Sequence, residues 1–180
     1  MPGQEQLAIV NQELSHHFSG SEKYRFALQA QDQTSAWLWL AEPNDIKQVA
    51  RAIAALQGRV MAITAAESQA DGLDVLEIAY HFAVGILNCT CIVTLPDQAR
   101  RIESITLIMK SADWQEREMQ ELYNIQVYHH PNPQPLFLEE GFSLAKHSMV
   151  PLSTAMDAAM TTTLWEKVMQ ARTREVKSDE

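Results

Sequence analysis

The chain has 180 residues, 46% of them hydrophobic, with a formal net charge of −9 and a pI near 5.1. That length and apolar fraction fit one domain with a sizeable core and room for a terminal extension. The acidic balance disfavours nucleic acid and anionic lipid as direct partners and leaves protein surfaces and solvent as the neighbours.

Residues Met1 to Gln6 are polar and lack the basic start and apolar stretch of a leader. The longest apolar run, Ala79 to Leu87, is broken by His81 and Gly85. It falls short of the roughly 20 apolar residues that a membrane helix needs. The expectation is a cytoplasmic chain with no direct membrane insertion, which reaches a membrane only through partners.

In chain order, Leu7, Val10, Leu14 and Phe18 recur at three- and four-residue spacing, predicting a helix over 4–18 that Gly20 ends. Tyr24 to Ala30 and Ala36 to Ala41 read as strands, with Asp32, Gln33 and Thr34 as the turn between them. Pro43, Asn44 and Asp45 open a second helix whose stripe is Ile46, Val49, Ala50, Ile53 and Ala54. Gly58 stands where a left-handed residue after the helix is expected. Strands follow at Arg59 to Ala65, Leu73 to Val84 and Asn88 to Leu95, the last two antiparallel. Ser68 to Gly72 reads as a polar turn, and Gly85 marks the next one. A further strand is predicted from Ile102 to Met109.

Asp113 to Asn124 has the pattern of a third helix. Asp113 and Glu116, three apart, have the form of a capping box, and Asn124 is a left-handed terminator. Arg117 can pair with Asp113 and Glu121, each four residues away. Trp114, Glu118, Glu121 and Leu122 project from adjoining positions on one side. Beyond lie Pro131, Pro133 and Pro135, three prolines in five residues, which make a stiff extended arm. Leu136 to Leu138 offer it an apolar anchor. A last helix from Pro151 carries Leu152, Met156, Met160, Leu164 and Val168, a stripe equally suited to core or interface. The predicted fold is α+β: a mixed, largely antiparallel sheet with helices packed on one face, plus a C-terminal helical extension. Residues 1–131 form the domain and 132–180 the arm and last helix.

The sharper chemical readings lose to plainer ones. Cys89 and Cys91 are two residues apart on a strand and share one face as small core or interface residues. Two thiols are too few for an iron–sulfur cluster, which usually takes four. His16–His17 and His129–His130 are adjacent pairs without metal-ligand spacing. His81 reads as a satisfied polar group at the sheet surface. Glu116 and Glu118 point to opposite sides of a helix, unsuited to joint acid–base work. Capping suits Glu116; an interface or internal ion pair suits Glu118. There is no nucleophile triad, phosphate loop or dinucleotide fingerprint.

The run from Ile105 through Trp114, Glu116, Arg117 and Glu118 to Leu122, Tyr123, Asn124 and Ile125 resembles a family signature. It is similar to that of the 30 kDa subunit family of respiratory complex I, which includes the equivalent component of bacterial NADH–quinone dehydrogenase. That family also supplies a component of energy-converting [NiFe] hydrogenases and formate hydrogenlyases. Leu76 to Phe82 resembles the strand that precedes the signature, and the resemblance spans about residues 36–131. It implies a subunit that binds no cofactor and lies at the inner face of the cell membrane. Its implied partners are the large quinone-site or [NiFe] subunit and the iron–sulfur small subunit. Trp114, Glu116, Arg117, Glu118, Glu121, Tyr123, His130 and Pro131 are then the signature or interface residues. His130–Pro131 fits the family pattern, but Asn132 to Phe142 lacks its basic residues and carries Glu139–Glu140 instead. That departure leans toward the hydrogenase branch.

Overall fold

The computed structural model describes residues 2–18, 26–30, 34–70 and 72–137. The predicted last helix, the Gly20 stop and most of the first turn fall outside them. Among the described residues three α-helices, α1 (Pro2–His17), α2 (Ile46–Ala55) and α3 (Asp113–Tyr123), accompany a five-stranded sheet. Its strands are β1 (Phe26–Ala30), β2 (Ser35–Leu40), β3 (Arg59–Ala70), β4 (Leu73–Val84) and β5 (Leu87–Pro96), in the order β1-β2-β5-β4-β3. All neighbours are antiparallel except β2 and β5, which run parallel. The α+β class read from the sequence is the observed one.

One face of the sheet is built by strict alternation. On β5, Leu87, Cys89, Cys91, Val93 and Leu95 are buried, while Asn88 and Thr94 face solvent. Register carries the pattern across: Ala36 pairs Cys89, Leu38 pairs Cys91, Cys91 pairs Tyr80, and Tyr80 pairs Ile63. A register shift at Met61 resets the period, so that Val60 and Ile63 both turn inward. Val10 and Leu14 from α1, the predicted stripe of α2, and Met119 from α3 complete the same core. The opposite face carries Trp37 and Trp39, whose rings lie 5.7 Å apart. His81 sits there too, between Thr90 at 3.0 Å and Thr64 at 3.3 Å, the satisfied surface histidine expected.

Three details differ from the sequence reading. The left-handed residue after α2 is Gln57 (φ 57°), not Gly58. Gly58 donates to the Ile53 carbonyl at 2.8 Å and Gln57 to that of Ala54 at 3.0 Å, a Schellman end one residue earlier than expected. Gly58 is needed for space: a Cβ there would lie 2.9 Å from the carbonyl oxygens of both Ala83 and Ile53. The predicted turn at Ser68 to Gly72 is largely taken up by strand: β3 runs on to Ala70 and β4 begins at Leu73. Ser68 pairs Val75 and Ala70 pairs Leu73, so the polar residues of this stretch are spent on the antiparallel ladder.

The third difference concerns the strand expected over Ile102 to Met109. Only β6 (Arg101–Glu103) forms, and it pairs in parallel with β7 (Gln126–Tyr128) as a separate two-stranded sheet. From Ser104 the chain turns away, because a carboxylate on α3 captures the next backbone and hydroxyl donors.

Candidate functional site

That carboxylate is Glu116. It is fully buried and accepts hydrogen bonds from Ser104 Oγ (2.6 Å), the Ile105 amide (2.7 Å) and Thr106 Oγ1 (2.7 Å). The capping box therefore does not form. Ala112 occupies the cap position, no side chain caps α3, and Glu116 serves the preceding loop instead of its own helix. The physical reason is reach: position 116 faces the core, and three donors there outcompete one helix amide.

His130 closes the same cluster. Its Nδ1 accepts from the Asn132 amide at 3.1 Å, which leaves Nε2 as the donor. Nε2 lies 3.3 Å from Thr106 Oγ1, 3.4 Å from Asp113 Oδ1 and 3.7 Å from Glu116 Oε2. The start of the arm is thereby fixed to the root of α3, with Pro131 exposed just beyond. Three protein donors engage the two oxygens of Glu116. Among the described residues, no three His, Cys, Asp or Glu side chains are set to hold a metal ion.

The outer side of α3 holds the arm. Arg117 Nε and Nη2 donate to the carbonyls of Gln134 and Pro135, both at 2.8 Å. Gln120 Nε2 donates to the Pro133 carbonyl at 3.1 Å. Glu121 Oε2 accepts the amides of Leu136 (3.1 Å) and Phe137 (3.0 Å). Prolines make this arrangement possible: they leave the arm's carbonyls without local partners and keep it extended. Arg117 thus grips the arm by bonds to its backbone.

The helix ends at Asn124, left-handed at φ 53° and ψ 41° as expected. Arg100 Nη1 donates to the Tyr123 carbonyl at 3.0 Å, a cation at the negative helix end, while Nη2 reaches Glu67 at 3.1 Å. Tyr123 packs its half-buried ring on the core. Below, Glu103 accepts from His129 at 2.8 Å and pairs Lys47 at 3.2 Å. The His129 hydrogen bond, then Lys47, hold its carboxyl below the usual range. Sequence reasoning missed Arg100, Gln120 and Glu103, whose partners are long-range.

Two signature residues remain. Trp114 is 69% exposed, and Glu118, four positions on, has no partner among the described residues. Of the eight residues singled out, Glu116 and His130 meet in the buried cluster. Arg117 and Glu121 serve the arm, and Trp114 and Glu118 face outward together.

The model of the family described as respiratory-chain NADH dehydrogenase, 30 Kd subunit, matches residues 39–162. The chain belongs to this family. Family membership makes it a subunit of a respiratory-type oxidoreductase complex, and its partners are the other subunits of that complex. Two solved structures share the fold of this 30 kDa family member. A trypsin-resistant fragment of Nqo5 is 15% identical, with a TM-score of 0.54 over 69% of this chain and 98% of that one. A chain of the membrane-bound sulfane sulfur reductase, an archaeal respiratory membrane complex, is 12% identical, with a TM-score of 0.55 over 78% of each chain. Among the described residues, no helix of the 30 kDa family member is long and apolar enough to cross a membrane.

Proposed function

We propose that this chain is an assembly subunit that binds no cofactor and docks on the large redox subunit of its complex, beside the iron–sulfur small subunit. The observation that carries the reading is the division of labour on α3. Glu116 is spent inward and Arg117, Gln120 and Glu121 on the arm, while Trp114 and Glu118 are left outward without partners among the described residues. A fully solvated helix gains nothing from a largely exposed tryptophan, whereas Trp is enriched in the energetic centre of interfaces. The large subunit is a quinone-site subunit in a complex I-type assembly or a [NiFe] subunit in a hydrogenase-type one. The acidic Asn132 to Phe142 stretch favours the hydrogenase type. The chain sits on the cytoplasmic side, held to the membrane by its partners.

The test is recovery of the complex from detergent-solubilised membranes of cells carrying a tagged chain. Arg117→Ala releases two of the arm's anchors and lowers recovery of the large subunit by about tenfold, at about 1.4 kcal/mol lost. Intact complex in cells that lack the chain altogether would sink the assembly role. Genes for a [NiFe] large subunit next to this one select the hydrogenase type, and a full NADH-module set selects complex I.

A further inference from the structure

We infer that Trp114 and Glu118 form a two-part receptor for one arginine side chain of the large subunit, a deepening that rests on the docking reading above. Residues four apart on a helix have Cβ atoms about 5–6 Å from each other and share a face. Helical side chains lean toward the N-terminus, so the Glu118 carboxylate lies over the turn that carries Trp114. An indole face and a carboxylate at that spacing match a guanidinium group: the plane stacks on the ring and the fork meets the oxygens. A lysine ammonium would use the carboxylate but could not stack.

The charges already present leave this position open. Of the five charged side chains on α3, Asp113 lies beside His130, Glu116 takes three buried donors, and Arg117 and Glu121 hold the arm. Glu118 is the one without a partner among the described residues, although it is half-buried. No described cation stacks on Trp114. Arg117, the only basic residue of the helix, is turned to the Gln134 and Pro135 carbonyls. Lys110, four residues ahead of Trp114, is exposed and makes no ion pair among the described residues. An acidic chain of net charge −9 adds long-range attraction for a basic partner segment.

The experiment uses the tagged full chain assembled in membranes, with the ratio of large subunit to tagged chain measured by mass spectrometry after low-salt and high-salt washes. Trp114→Ala and Glu118→Gln each lower the ratio by about tenfold, and Glu118→Arg by about a hundredfold through charge repulsion. Trp114→Phe, which keeps a ring face, loses little. Unchanged thermal melts of the isolated variants exclude misfolding, since neither side chain is hydrogen-bonded within the described fold. A photo-cross-linker at the exposed Ser111 captures a large-subunit peptide that contains an arginine, and Glu in place of that arginine restores the Glu118→Arg variant. If Glu118→Arg assembles like the wild type while Arg117→Ala does not, the docking reading stands and the arginine receptor is wrong. If none of these variants changes the ratio, both fall. A cross-link confined to this chain's own C-terminal residues, or to a peptide without arginine, also overturns the receptor.

Discussion

Glu116 shows how a single side chain redirects a segment. Its carboxylate holds two hydroxyls and one amide in the core, and those bonds end β6 after three residues. Glu116→Ala strands three buried donors and opens a cavity, so it costs about 3–5 kcal/mol in chemical denaturation of the full chain. Glu116→Gln costs less, about 1–3 kcal/mol, because the amide keeps one acceptor and the Ser104 and Thr106 hydroxyls can rotate toward new partners. A cap residue would show neither loss, since α3 would cost only about 1 kcal/mol to uncap. The sequence spacing Asp113–Glu116 was compatible with a cap because local pattern contains no term for a loop ten residues upstream.

Among the elements, the end of α2 and the fastening of the arm both rest on particular backbone groups. Gln57 carries the left-handed conformation that glycine adopts without strain, so Gln57→Gly raises stability by about 1 kcal/mol. Gly58→Ala acts oppositely. Its new methyl meets two carbonyl oxygens at 2.9 Å, and the loss is about 1–3 kcal/mol by thermal denaturation. From sequence alone Gly58→Ala would carry the same sign for another reason, left-handed strain, whereas Gln57→Gly would be read as a loss, a glycine placed at the end of the helix. The arm offers a subtler readout. Glu121→Ala removes the acceptor for the Leu136 and Phe137 amides, and hydrogen exchange at those two amides accelerates while the core amides of β4 and β5 are unaffected.

For the molecule as a whole, the central sheet buries three titratable groups beneath the helices. Burial pushes the Cys89 thiol from its ordinary 9.0 up to about 12. Burial, with Cys89 adjoining, raises Cys91, and burial followed by the nearby Glu116 and Cys91 raises the Tyr80 phenol. Below about pH 9 the Cys89 thiol is protonated in both folded and unfolded chains, and its contribution to stability is complete. Between 9.0 and about 12 the unfolded chain gives up the proton while the folded chain keeps it, so stability falls as pH rises. Urea midpoints therefore drop steeply above about pH 9, and Cys89→Ala flattens that limb while lowering the plateau slightly.

Legible in the residues alone were the class of fold, the shared face of Cys89 and Cys91 on β5, the stripes of α1 and α2, the terminator Asn124 and the family signature around Trp114. Each is a local pattern whose period or residue type has one cheap solution in space. The three-dimensional packing had to settle that Glu116 faces the loop, that Arg117 and Glu121 grip the arm, that Arg100 closes α3, and that Glu118 finds no partner among the described residues. Those outcomes depend on which donors and acceptors from distant segments arrive at the same place. A buried carboxylate takes the partners nearest to it in space, and these need not be near it in the chain.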